Sequence, residues 1–398
     1  MRLILVAAFL VGTAHAAPQT FALTVANDKL AGPGADVLRA ELPDAQFILF
    51  GEDHGFADSP IVLRAIAREA RSFGFKYHAV EVGPLSVHMI RDALAKEGPA
   101  GIHKLVHDVP LGIPFLSLKD DVDLASDFQG ADAKGAPFLW GLDQEFIGSP
   151  PFHLARLVAI ATTDPARAAA KKLLGEERDA AAKAAQDKFL LTRATDADFD
   201  ALAAKFKGNA EALTIIAELK ESATVYQLWM HGHNYENNAR RGRLLAKNFL
   251  AAYAAAADPE PKVVFKMGLE HVGLGTTPIN TVDIGTLATE MARQHGKTAL
   301  RIGFLPAGGH NLAFAPKAGN PTTIAPYASK EVSELFTAIK LDPLTLAKDG
   351  WTLIPMAPIR QALDTAGLDK LSTFSRFVVL GYDYVITTPD AKAGVSLY

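Results

Sequence analysis

Two short stretches far apart in the chain have the same shape. They are Gly51-Glu52-Asp53-His54 and Gly268-Leu269-Glu270-His271, each directly after a run of apolar and β-branched residues. If both runs are strands, each Gly-x-x-His hangs a histidine on the loop leaving a strand's C-terminal end, the edge of an open α/β sheet where ligands bind. Glu52 and His54 are two apart and can face the same way, as a metal-ligand pair or as a general base oriented by its neighbour. The bland alternative is a helix cap beside a surface histidine. Glu81 closes an otherwise apolar run, Ala79-Val80-Glu81-Val82, where a carboxylate is costly unless paired or ligated. Its sober alternative is a salt bridge to Arg64 or Arg68. His271 is followed by Gly273-Leu274-Gly275, glycines that let backbone approach a ligand closely. Glu52, His54, Glu81 and His271 are the expected catalytic residues, and His54, His271 and Glu81 the expected ligands if a metal is held. Asp143, Glu145, His231, His233 and His310 form a weaker set.

The elements that must position these residues follow from periodicity. Gln46 to Gly51 reads as a strand, Ile61 to Phe73 as a helix closed by Gly74, and Tyr77 to Val82 as a second strand. Pro137 to Leu142 reads as a third strand, running into Asp143-Gln144-Glu145. Strand, helix and strand at this spacing predict right-handed parallel units. From about 152 to 257 alanine, lysine, glutamate and leucine dominate, which predicts a helical insertion. Strands return at Lys262 to Met267, Ala299 to Leu305 and Tyr382 to Thr387, with a helix over Val282 to Gln294. The expected fold is α/β: a mostly parallel or mixed central sheet flanked by helices, forming a single domain over 17–398 with an Ala-rich helical insertion. Phe56, Phe115, Phe138, Phe146, Trp229 and Tyr235 are candidate apolar walls, although aromatics at such places are more often core.

Composition narrows the function. Arg2, the apolar run Leu3 to Gly12 and Ala14-His15-Ala16 read as a cleavable export signal over 1–16, so the expected location is periplasmic or secreted. No later segment is apolar for the roughly 18 residues of a membrane span. With no cysteine in 398 residues, disulfides, thiolate ligands and thiol nucleophiles are excluded. A formal charge of −4 without a basic stripe argues against nucleic acid as partner. A small-molecule or peptide substrate fits better. The chain has no Gly-x-Ser-x-Gly elbow, no His-Glu-x-x-His helix, no phosphate-binding loop and no complete dinucleotide fingerprint.

Taken together, these motifs resemble the superfamily that groups erythromycin esterase-like proteins, the ChaN haem-uptake proteins and the Tiki/TraB proteins. Gly51-Glu52-Asp53-His54-Gly55 resembles the esterases' opening Gly-Glu-x-x-His-Gly element, shortened by one residue. The stretch from Gly74-Phe75 to Glu81 resembles their next strand, and Gly141-Leu142-Asp143 the strand end after it. Arg240 to Leu250 resembles their Met-Ala-Glu-Asn helix, and His271-Val272-Gly273 the end of their His-x-x-His-Val-Gly element. The first histidine of that element is replaced by Gly268, so the segment also resembles the second Gly-x-x-His of the Tiki/TraB branch, which is associated with divalent metal and hydrolysis.

The resemblance implies an exported hydrolase of an ester or amide bond. In one form a divalent metal (zinc, manganese or cobalt) held by the two histidines and a carboxylate acidifies a water. In the other, His54 is a metal-free general base. The ChaN branch implies instead a periplasmic binder of haem or an iron complex, and the missing histidine an inactive scaffold.

Overall fold

The computed structural model describes residues 17–129, 137–317 and 320–398; the expected signal peptide lies outside the described residues. Among the described residues there are eleven strands: β1 (Phe21–Ala26), β2 (Lys29–Ala31), β3 (Ala45–Glu52), β4 (Phe75–Val80), β5 (Leu139–Gly141), β6 (Lys262–Gly268), β7 (Thr298–Phe304), β8 (His310–Lys317), β9 (Asn320–Pro326), β10 (Trp351–Pro355) and β11 (Tyr384–Thr387). Nine of them form one sheet in the order β2-β1-β10-β11-β7-β3-β6-β4-β5, and β8 and β9 make a separate antiparallel hairpin. The six strands from β11 to β5 are parallel, while β10, β1 and β2 extend the far edge antiparallel. The expected α/β class with a mixed, mostly parallel sheet is therefore what the chain forms. No described helix is long and apolar enough to cross a membrane.

Strand alternation sends side chains into two cores. Phe47 and Leu49 of β3 join Val263, Phe265 and Met267 of β6 on one face, and Ile48 and Phe50 join Val264 on the other. By the same alternation Glu52 and Lys266 belong to the second face, and the β3–β6 register sets Phe50 opposite Lys266 and Glu52 opposite Gly268.

Helices occupy most of the expected insertion, beginning with Pro150–Ile160 and Asp164–Ala182 and ending with Ala210–Met230 and Asn234–Ala255. They enclose a core of their own, with Leu157, Leu191, Phe199 and Leu219 at its centre. Several expected boundaries move. The second strand stops at Val80, so Glu81 stands just past its end. The third shrinks to Leu139–Gly141, because it is an edge strand with a partner on one side only. The helix expected from Val282 starts at Ile284, capped by the Asp283 side chain, and the last strand starts at Tyr384. The antiparallel extension and the β8–β9 hairpin were not expected from the sequence.

Candidate active site

Four adjacent parallel strands, β3, β6, β4 and β5, release their chains at one edge of the sheet. Glu52 ends β3 and is buried; His54, two residues on, is about one-third exposed and donates from Nδ1 to Glu52 Oε1 at 2.9 Å. Glu52 is not a helix cap: its Oε2 accepts from Ser59 Oγ, and its Oε1 receives Lys266 Nζ at 2.5 Å. Burial raises the pKa of Glu52, but the Lys266 charge and His54 overcome this and hold it down at about 2. The imidazole therefore rests on a fixed anion, which leaves Nε2 as the acceptor of its neutral form. Burial opposes protonation of His54, yet the Glu52 hydrogen bond and the charges of Glu81 and Glu52 raise its pKa above the ordinary histidine value. Its ring stacks on Phe115 at 4.0 Å between centroids, and Phe115 takes a φ of 56°, a left-handed conformation uncommon for a bulky residue.

Glu81 Oε2 lies 3.6 Å from His54 Nε2 and accepts from the Gly268 amide at 2.5 Å. Its Oε1 lies 3.6 Å from His271 Nε2 and receives Arg241 Nη2 at 2.5 Å. The alternative partners Arg64 and Arg68 are elsewhere, both bound to Asp127. Despite burial, His271 and Arg241 hold the Glu81 pKa well below the usual carboxylate range. Arg241 also grips Asp143 through Nε at 2.9 Å and Nη2 at 2.5 Å, and the two carboxylates raise its own pKa although burial opposes it. His271 sits on the short helical turn Leu269–Val272, whose Leu269 carbonyl accepts from the Tyr382 hydroxyl. Its Nδ1 donates to Asp283 Oδ2 at 2.8 Å. Burial and Arg241 lower the His271 pKa, but Asp283 and Glu81 outweigh them and lift it to about 10, so this ring is an imidazolium at neutral pH.

Gly268, where the resemblance expects a histidine, occupies the centre of the group. A Cβ there would come 3.2 Å from Glu81 Oε2, 3.3 Å from His54 Nε2 and 3.6 Å from His271 Cδ2. The glycine lets these three side chains crowd together, and a side chain there would force them apart. Of the weaker candidates, Asp143 joins the site through Arg241. Glu145 accepts from the Leu85 amide at 2.8 Å and the Ser86 hydroxyl at 2.5 Å and pairs with His153 at 2.8 Å, so it holds the start of helix Pro84–Glu97. His231, His233 and His310 are exposed.

Glu52 and His54 line a cleft of about 490 Å³. Its walls include Phe146, Tyr226 and Trp229 from the insertion side and Leu312 and Phe314 from the hairpin. The hairpin is fixed to the loop after His54, since Leu312 N donates to Gly55 O at 2.8 Å. Phe115, Phe146 and Trp229 are cleft walls as expected, whereas Phe56 and Phe138 are core and Tyr235 is exposed away from the cleft lining.

Arg241, Lys266, Asp121 and Asp283 were missed in the sequence. A divalent ion does not fit these residues as arranged: among the described residues no group of three or more His, Asp or Glu side chains converges as a metal site. The Glu81 oxygen nearest His271 already faces a guanidinium.

The class this defines is an α/β protein with a histidine–carboxylate cluster at the C-terminal edge of a mostly parallel sheet. Its fold is that of erythromycin esterase: over 90% of this chain and 94% of the other, it superposes on a mutant of the erythromycin esterase EreC in its open conformation, with a TM-score of 0.59 and 14% identity. A Bacillus cereus protein gives 0.56 at 13% identity over 97% of both chains. A succinoglycan biosynthesis protein gives 0.52 at 11% identity over 92% and 93%. No protein-family profile and no curated protein sequence matches the chain.

Proposed function

We propose that the protein is an exported, metal-free hydrolase of an ester or amide bond, with His54 as general base. The observation that carries this reading is the Glu52–His54 pair: Nδ1 is held at 2.9 Å by a buried carboxylate, Nε2 lies 3.6 Å from Glu81, and His54 lines the cleft. In this reading a water from the cleft is hydrogen-bonded to His54 Nε2. His54 takes its proton as the oxygen attacks the carbonyl carbon, and the His271 imidazolium stabilises the oxyanion. Collapse of the tetrahedral intermediate breaks the bond to the alcohol or amine, which takes its proton from His54. One water is consumed and acid and alcohol or amine are released. The likeness to erythromycin esterase at 14% identity supports the fold beneath this chemistry and leaves the substrate open.

The test is hydrolysis of a panel of 4-nitrophenyl esters by the wild type and His54→Ala, with and without EDTA. Turnover that falls by about 10²- to 10⁴-fold in His54→Ala and is indifferent to chelator is the expected result. Retained activity in the variant would sink the His54 role. Activity lost to EDTA and restored by zinc, manganese or cobalt would return the site to metal chemistry. A Soret band on adding haemin to an inactive protein, abolished by His271→Ala, would favour the haem reading.

A further inference from the structure

Two buried carboxylates share one ammonium beneath the cleft. Helix Lys119–Phe128 packs Val122, Leu124, Ala125 and Phe128 into the core against β4 and helix Asp58–Ala70, and its Asp121 reaches Lys266. Lys266 Nζ is 2.5 Å from Glu52 Oε1 and 2.9 Å from Asp121 Oδ1. The first contact is a well-formed hydrogen bond. The second is an ion pair whose alignment falls short of a full hydrogen bond, and among the described residues the buried Asp121 Oδ1 has no other polar partner. With Asp121 only 2% exposed, such an oxygen is costly to leave unsatisfied. When His54 is neutral, as base catalysis requires, Glu52, Lys266 and Asp121 together carry one negative charge.

That charge faces an unusual cleft. Among the described residues neither lysine nor arginine lines it; apart from His54, its charged groups are Glu52 and Asp121. Above them stand the aromatic rings of Phe115, Phe146, Tyr226, Trp229 and Phe314. A carboxylate floor under aromatic walls is the chemistry that takes an organic cation, through charge-assisted hydrogen bonding below and cation–π attraction from the sides. Glu52 is already committed to Lys266, Ser59 and His54, so Asp121 is the carboxylate with capacity to spare.

We infer that Asp121 is the floor of a substrate subsite beside His54 that selects esters or amides carrying a protonated aliphatic amine. This rests on the hydrolase reading for its substrate and on the cleft alone for its ligand, and the experiment separates the two. Binding of hexylammonium and of 1-hexanol to the full chain is measured by calorimetry and by intrinsic tryptophan fluorescence, in the wild type, Asp121→Asn and Asp121→Ser, each checked for folding by its melting temperature. Turnover of 4-nitrophenyl 6-aminohexanoate is compared with that of 4-nitrophenyl heptanoate. The wild type should prefer the ammonium over the alcohol, and the cationic over the neutral ester, by about ten-fold or more, the worth of one charge-assisted hydrogen bond. In folded Asp121 variants both ratios should fall to about one. Equal binding of amine and alcohol by the wild type, or a preference that survives in both variants, overturns the inference. Asp121-dependent amine binding without hydrolysis of any ester would uphold the subsite and defeat the hydrolase.

Discussion

The His54 imidazole is held between two influences, and its pH behaviour reports which dominates. As general base it must be neutral, so kcat/KM rises with pH as the ring loses its proton. Because the Glu52 hydrogen bond and the Glu81 and Glu52 charges raise the His54 pKa, that rise should lie above the ordinary histidine value of about 6.5. The alkaline fall should come near the His271 value of about 10, where the imidazolium is lost. Glu52→Gln removes an anion from Nδ1 while leaving the Lys266 charge nearby, so the acid limb should move to lower pH and the plateau should drop with the weaker base. A pH–rate profile of the variant with its acid limb unmoved would show that Glu52 does not set the His54 pKa. The chemistry of this pair was legible in sequence because a carboxylate and an imidazole two apart at a strand end can face the same way. Lys266 carried the same signal as Glu81, a charge inside an apolar strand, in Val263-Val264-Phe265-Lys266-Met267, and went unread. Asp121 gave no such signal among Asp120, Asp121 and Asp123, since which acid faces inward depends on how its helix docks.

At the scale of elements, the last helix of the insertion docks on the sheet. Asn234–Ala255 buries Leu245 and Phe249 against the sheet, and Asn248 Nδ2 donates to Leu142 O at 2.8 Å. Arg241, Leu245 and Phe249 repeat every four residues and so share a face, which aims the guanidinium at Asp143 and Glu81 past the strand ends. That stripe was present in the sequence, but Arg240-Arg241-Gly242-Arg243 reads as a solvated basic run until the docking face is known. Arg241→Met leaves two buried carboxylates without their cation and should cost about 3–5 kcal/mol in urea unfolding. Arg241→Lys should recover only part of it, because one ammonium lacks the planar fork, and Asp143→Asn added to Arg241→Met should also recover part. A methionine variant as stable as wild type would mean that the arginine is not what compensates Glu81. The parallel units were readable because strand, helix and strand repeat at close spacing with buried, β-branched strands. The antiparallel edge was not: β1 buries only Leu23, so no alternation shows, and β2 and β10 are three and five residues long, too short to show a period.

For the whole molecule, buried histidines on opposite sides of neutrality define where the fold is strongest. His78, in β4, is pushed down to about 4, chiefly by burial, while its Nδ1 donates to Val264 O at 2.9 Å. A depressed histidine is stabilising while neutral, so its contribution is complete above about 6.5 and is lost as pH falls toward 4. His271, lifted to about 10, works in the other sense: its contribution is complete below about 6.5 and is lost as pH rises through 10. Glu52, held at about 2, adds a loss only below its unfolded value of about 4.5. The two histidines therefore predict a stability maximum near pH ~6.5 that declines on both sides, by more on the alkaline side if the Asp283 and Glu81 contacts persist. Denaturation midpoints at pH ~5, ~6.5 and ~9 test this. His271→Gln should flatten the alkaline decline and leave the acid one, and His78→Gln should do the reverse. A profile still falling toward pH 9 in His271→Gln would mean that the alkaline loss comes from other groups and that His271 is not the buried cation of the fold.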